Sequence, residues 1–116
     1  MASEIEDKKR YLLHWMYDFI EDDDEPAYQV EDVEECDEIL SSFIHHALNS
    51  EQRSDLVWLS SEIQDLVVTL NRLNQKHAGQ LIESDQREDL CALIALVLKH
   101  CGHSDQGDIT EPWREW

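Results

Sequence analysis

Twelve of the twenty-one residues from Asp18 to Glu38 carry carboxylates, and no Lys or Arg occurs between Arg10 and Arg53. The acids are Asp18, Glu21, Asp22, Asp23, Asp24, Glu25, Glu31, Asp32, Glu34, Glu35, Asp37 and Glu38. Clustered carboxylates without counter-charges attract cations. Over the whole chain, 27 acids stand against 9 Lys and Arg, a formal charge of -18. Folding brings these like charges together and is opposed by their repulsion. The cluster reads as a recognition surface for a basic protein, whose approach it would steer. A solvated face that keeps the chain soluble is the plainer alternative.

Helix electrostatics separates these two readings. Glu31, Asp32 and Glu34 lie near a predicted helix N-terminus, where an anion gains ~0.3–1 kcal/mol from the dipole. Glu21, Asp22, Asp23 and Asp24 lie at a predicted helix C-terminus, where the same effect is unfavourable. A sequence shaped for stability alone would place Lys or Arg there. The two acidic ends meet in one short connection, which concentrates the potential.

Trp58 is the second candidate. On a helical projection it falls opposite the apolar stripe of its own segment, between Glu62 and Asp65. Trp is over-represented among residues that dominate interface energetics. The alternative is that another segment, such as the tail around Trp113 and Trp116, covers it.

Metal chemistry has weaker support. His45-His46 and His100-Cys101-Gly102-His103 contain potential ligands, but adjacent helical residues diverge by ~100°, and neither group has zinc-site spacing. The acidic run lacks the alternating ligands and central Gly of an EF-hand. Cys36, Cys91 and Cys101 are odd in number and sit within apolar stripes, so they read as core thiols. No metal or cofactor is expected.

Glu35-x-x-Glu38, twenty-three residues, then Glu62-x-x-Asp65 resembles the ExxE…ExxD arrangement of MazG-type all-α nucleotide pyrophosphohydrolases. The segment from Glu62 to Val68 is similar to that family's second motif helix. The resemblance implies four carboxylates holding Mg²⁺ beside a nucleoside triphosphate. The residues themselves point elsewhere. Glu35 and Glu38 face away from the apolar stripe of their helix, and basic residues to hold phosphates are scarce nearby. The expectation is a protein without catalytic activity.

The elements that must position these residues are helical, since apolar residues recur at three- and four-residue spacing. The first block spans about Glu4 to Asp22, with Ser3 and Glu6 as a capping box. Its apolar face comprises Ile5, Leu12, Trp15, Met16, Phe19 and Ile20, and Pro26 bars continuation. The second spans about Glu31 to Leu48, with Val33, Cys36, Leu40, Phe43, Ile44 and Ala47 inward. Glu31, Glu34, Glu35 and Glu38 lie opposite.

The third spans about Glu51 to His77, with Asn49 or Ser50 as cap and Gly79 at its close. Its stripe is Leu56, Leu59, Ile63, Leu66, Val67, Leu70 and Leu73. The fourth spans about Asp85 to Cys101, between Ser84 and Gly102. It is apolar nearly all round, which suits a central helix or one with a homodimer face. The expected fold is all-α: one compact bundle of four main helices with antiparallel neighbours over residues 1–102. A polar tail over 103–116 carries Trp113 and Trp116.

The length of 116 residues suits a single domain, and 41% hydrophobic residues supply a core. No apolar run approaches the ~18 residues of a membrane span. No apolar signal segment is visible at the N-terminus, so the expected setting is a reducing cytoplasm. The charge excludes nucleic acid as a direct ligand, because phosphate binding requires clustered Lys and Arg. The expected function is docking on, and inhibition of, a basic protein. The favoured setting is an immunity protein that neutralises a bacterial toxin, such as a nuclease. A DNA mimic acting on a restriction or CRISPR effector, a MazG-like enzyme, and a secretion chaperone or adaptor are the alternatives.

Overall fold

The computed structural model describes residues 3–103 and 109–116. The periodic apolar blocks form α1 (Ser3–Asp22), α2 (Val30–Asn49), α3 (Leu56–Gln75) and α4 (Ser84–His100), and no strand occurs among the described residues. Residues 23–29, 50–55 and 76–83 connect them. At ~3.3–3.6 Å per residue, such links fall short of the ~30 Å length of a twenty-residue helix. α2 therefore folds back on α1 and α3 on α2, while α4 returns to pack on α1 and α2, and the result is a four-helix bundle.

The core takes Ile5, Leu12 and Met16 from α1, and Val33, Cys36 and Leu40 from α2. It takes Leu59, Ile63 and Leu70 from α3, and Leu90, Leu93 and Val97 from α4. The α2 stripe is buried as its spacing predicts. α2 is also the helix that packs against all three others, a place expected for α4. Part of the apolar excess of α4 is instead met by the C-terminal segment: the Cys91 thiol lies 4.0 Å from the Thr110 hydroxyl. Leu96 stays partly exposed.

α1 departs from its expected face. Leu13 is buried, whereas Trp15 and Phe19 are 44% and 47% exposed. Its apolar arc, with Tyr11 included, is wider than its packing partners cover. The stripe through Ile5, Leu12, Leu13 and Met16 faces the core, and the aromatic flank is left at the surface.

Several helix ends also differ from expectation. α3 begins after Asp55, whose Oδ1 accepts from the Val57 amide at 3.0 Å and the Trp58 amide at 3.4 Å. Residues 51–54 form turns, in which Ser50 Oγ accepts from the Gln52 amide. Asn49 closes α2 by donating to the His45 carbonyl at 2.8 Å. α4 is entered at Glu83, whose amide donates to Gln86 Oε1, so Ser84 is the first helical residue and not the cap.

Gly102 ends α4 as expected. Its φ of +91° allows the Gly102 amide to reach the Lys99 carbonyl and the His103 amide to reach that of Leu98, a Schellman closure. The Ser3 side chain of the expected capping box lies outside the described residues, as do tail residues 104–108.

Two buried asparagines organise the end of α3. Asn74 Oδ1 accepts from the Leu81 and Ile82 amides at 3.1 and 2.8 Å. Asn71 donates to the Trp113 carbonyl and accepts from the Glu115 amide, at 2.8 and 3.1 Å. The end of the tail is thereby docked on α3, with Ile109, Trp113 and Trp116 packed against the core.

Candidate partner-binding surface

The α1–α2 connection displays the densest charge. Glu21, Asp22, Asp23, Asp24 and Glu25 are all exposed. The last turn of α1 contains no basic residue, so the unfavourable dipole contact predicted there is uncompensated by its own helix. Among the described residues no ion pair reaches these five carboxylates. Within the run a local contact turns the chain: Asp23 Oδ1 accepts from the Glu25 amide at 3.0 Å.

The connection is anchored by Tyr28. This residue is 6% exposed and meets the His77 ring edge-on, with centroids 6.5 Å apart. Burial, then the nearby Glu83 and Cys36, push its phenol up to about 12. Two residues after Tyr28 the helix α2 starts, and Asp32 fastens that start through its capping contact to Gln29. Oδ2 accepts from the Gln29 amide at 2.8 Å, and Oδ1 lies 3.2 Å from His77 Nε2. The acidic segment is thus held between two fixed points.

α2 carries the charge onward. Glu31, Glu34, Glu35 and Glu38 are exposed on its outer face, three or four residues apart and so side by side on the helix surface. Basic side chains reach part of this surface. Lys76 lies 3.8 Å from Glu35, His14 3.5 Å from Asp18, and Lys9 3.3 Å from Asp37. Among the described residues no such pair reaches Glu31, Glu34 or Glu38.

Glu38 leads into a shallow groove between α2 and α3, where it meets Glu62 and Asp65 above Ile39, Phe43 and Leu66. Three of the four carboxylates of the ExxE…ExxD pattern therefore line one depression, while Glu35 turns to Lys76. Among the described residues no three His, Cys, Asp or Glu side chains converge closely enough to hold a metal ion.

Trp58 lies half-buried near one end of α3. The His46 ring stacks on it at 5.8 Å between centroids, and His46 Nε2 is 4.0 Å from Glu62. A histidine of α2 thus covers part of it, and hydrogen bonds of the C-terminal segment run to Asn71, Gln75 and Cys91. Trp58 is less free than its position opposite the stripe suggested.

Two contributors were missed in the sequence. Tyr28 sits in a connection with no periodicity to mark it as buried. The aromatic flank of α1, by contrast, had a visible signal: Tyr11, Trp15 and Phe19 follow one another at every fourth residue.

Compared with family models, curated proteins and solved structures, the chain matches none of them, so the functional reading rests on its own residues.

Proposed function

We propose that this chain is a non-catalytic acidic binding protein that docks on a basic partner protein and inhibits it. The setting that fits best is immunity against a bacterial toxin in the cytoplasm, with a nuclease as a suitable target because its active site must be cationic to hold nucleic acid. One observation carries the reading. Five exposed carboxylates, Glu21 to Glu25, end a helix whose last turn holds no base, and a buried tyrosine keeps their connection in place. A surface selected for solubility gains nothing from charge at the unfavourable end of a dipole. A surface selected to meet a cation does, since its potential accelerates encounter and excludes partners of the wrong sign.

The test is capture of partner proteins on the immobilised chain, run beside a variant with Asp22→Asn, Asp23→Asn and Asp24→Asn. A basic protein held by the parent, released by salt, lost by the variant and inhibited on stoichiometric addition supports the proposal. Equal retention by both forms refutes it.

A further inference from the structure

A second surface runs along the junction of α1 and α4. Tyr11, Trp15 and Phe19 are 51%, 44% and 47% exposed, and the Tyr11 and Trp15 rings meet edge to face at 6.2 Å. Scattered exposed apolar residues need no explanation, but a contiguous strip of large aromatics marks an interaction site. Opposite the strip, α4 presents Asp85, Glu88 and Asp89, which line the same groove. Glu88 and Asp89 follow Asp85 by three and four residues, so both neighbour it on the helix surface.

Lys8 shows what this combination of groups holds. Its Nζ lies 4.9 Å over the Tyr11 ring and 2.9 Å from Asp89 Oδ1. An ammonium is thus gripped between a ring face and a carboxylate at one end of the groove, a cation–π contact with charge support. Further along, Trp15 and Phe19 with Asp85 and Glu88 repeat both chemistries. Among the described residues no ion pair reaches Asp85 or Glu88.

We propose that this groove takes an amphipathic basic helix of a partner protein. The apolar face of that helix would lie on Tyr11, Trp15 and Phe19, and its Lys or Arg side chains against Asp85 and Glu88. The inference rests on the reading of the chain as a binder of basic proteins and adds a second contact of different chemistry. Ring positions four residues apart repeat every ~6 Å along α1. That is close to one helical turn, so successive anchors of an incoming helix meet successive rings. A second copy of this chain is a poor occupant, because it would set one acidic wall against another at a charge of -18 per chain.

The probe is a synthetic helix of Lys and Leu, with Leu confined to one face. A scrambled peptide of the same composition is the control. Fluorescence anisotropy should show the amphipathic peptide binding about tenfold or more tighter than the scrambled one. The double variant Trp15→Ala, Phe19→Ala should lose that advantage, a drop of about tenfold or more. Should that variant fail to fold, Asp85→Asn with Glu88→Gln, both at exposed sites, must weaken the amphipathic peptide instead.

Equal affinity for the two peptides, or affinity unchanged in the variants, overturns the groove assignment. It leaves the acidic-cluster reading intact, since that reading stands or falls on Asp22, Asp23 and Asp24. Self-association of the parent that disappears in Trp15→Ala, Phe19→Ala would assign the groove to a second copy, and overturns the proposal as well.

Discussion

The His46 ring lies against Trp58 with 29° between the planes and 5.8 Å between centroids. A Trp held this way keeps one side for packing and offers the rest to a partner. Trp58→Ala should weaken partner binding by ~2 kcal/mol or more. It should also cost roughly 1–2 kcal/mol of stability, below the ~3–5 kcal/mol of a fully buried aromatic. Affinity measurements corrected for the folded fraction separate the two effects. Unchanged affinity with a lowered melting temperature would assign Trp58 to packing alone.

Tyr28 and Cys36 make stability sensitive to alkali. Burial is the main cause of both shifts, and each group is pushed up to about 12, from 10.0 and 9.0. The sign follows from proton binding. Between the unfolded and folded values the unfolded chain has lost protons that the folded chain retains, so rising pH favours unfolding. The contribution is complete below pH ~9 and fades towards pH ~12. Melting temperatures should therefore fall from pH ~9 upward, and Tyr28→Phe should remove part of that slope. Identical pH profiles for parent and Tyr28→Phe would show that the phenol ionises freely in the folded state.

Asn74 should matter more than its polarity suggests. Its Oδ1 satisfies two amides, those of Leu81 and Ile82, on residues that are themselves buried. Asn74→Ala leaves both donors without water or partner, at ~1–3 kcal/mol each. Denaturant unfolding should show a loss of about 2–6 kcal/mol, larger than for Asn49→Ala on the surface. A loss no greater than that of Asn49→Ala would mean that the 76–83 connection relaxes to find other acceptors.

Raising salt should stabilise the free protein. The charge of -18 is what remains after all 9 Lys and Arg are set against the 27 acids. The Debye length falls to ~10 Å at 0.1 M salt, which screens the remaining repulsion. A melting temperature that rises from low salt to about 0.1 M is the expected outcome. A flat or falling curve would show that the acids are already balanced.

The sequence was most legible where one helix face is uniformly apolar. The stripe of α2 from Val33 to Ala47 is buried residue for residue, because Glu31, Glu34, Glu35 and Glu38 leave no second apolar face to choose. In α1 the apolar arc is broader than the packing, and periodicity cannot say which flank a neighbour covers. Periodicity alone places Trp15 and Phe19 in the core for that reason. The exposure of the acids followed from their position opposite the stripe. Their partial neutralisation did not, because Glu35 with Lys76 and Asp37 with Lys9 join residues far apart in the chain. Asn71 and Asn74 fall within the apolar sector of α3, where only the folded backbone reveals amides and carbonyls in need of a partner.

The acidic connection yields the prediction that bears most directly on function. Asp22, Asp23 and Asp24 are exposed, without an ion pair among the described residues, and at a helix end where negative charge is unfavourable. Changing them in pairs to Asn should raise the melting temperature of the free protein by easing that repulsion. The same variants should associate more slowly with the partner, with a weaker dependence on salt. Single changes will be small, since exposed ion pairs contribute only ~0.2–1 kcal/mol each. Paired changes at Glu34 and Glu38 provide the contrast: they lie further along α2, away from the α1 C-terminus, and should slow association without the gain in stability. Stopped-flow association at two salt concentrations, with thermal unfolding of each variant, measures both effects. A variant that is more stable and slower to bind marks a surface kept for recognition at a cost to the fold. Variants that bind as fast as the parent at low salt would show that these carboxylates serve solubility and nothing more.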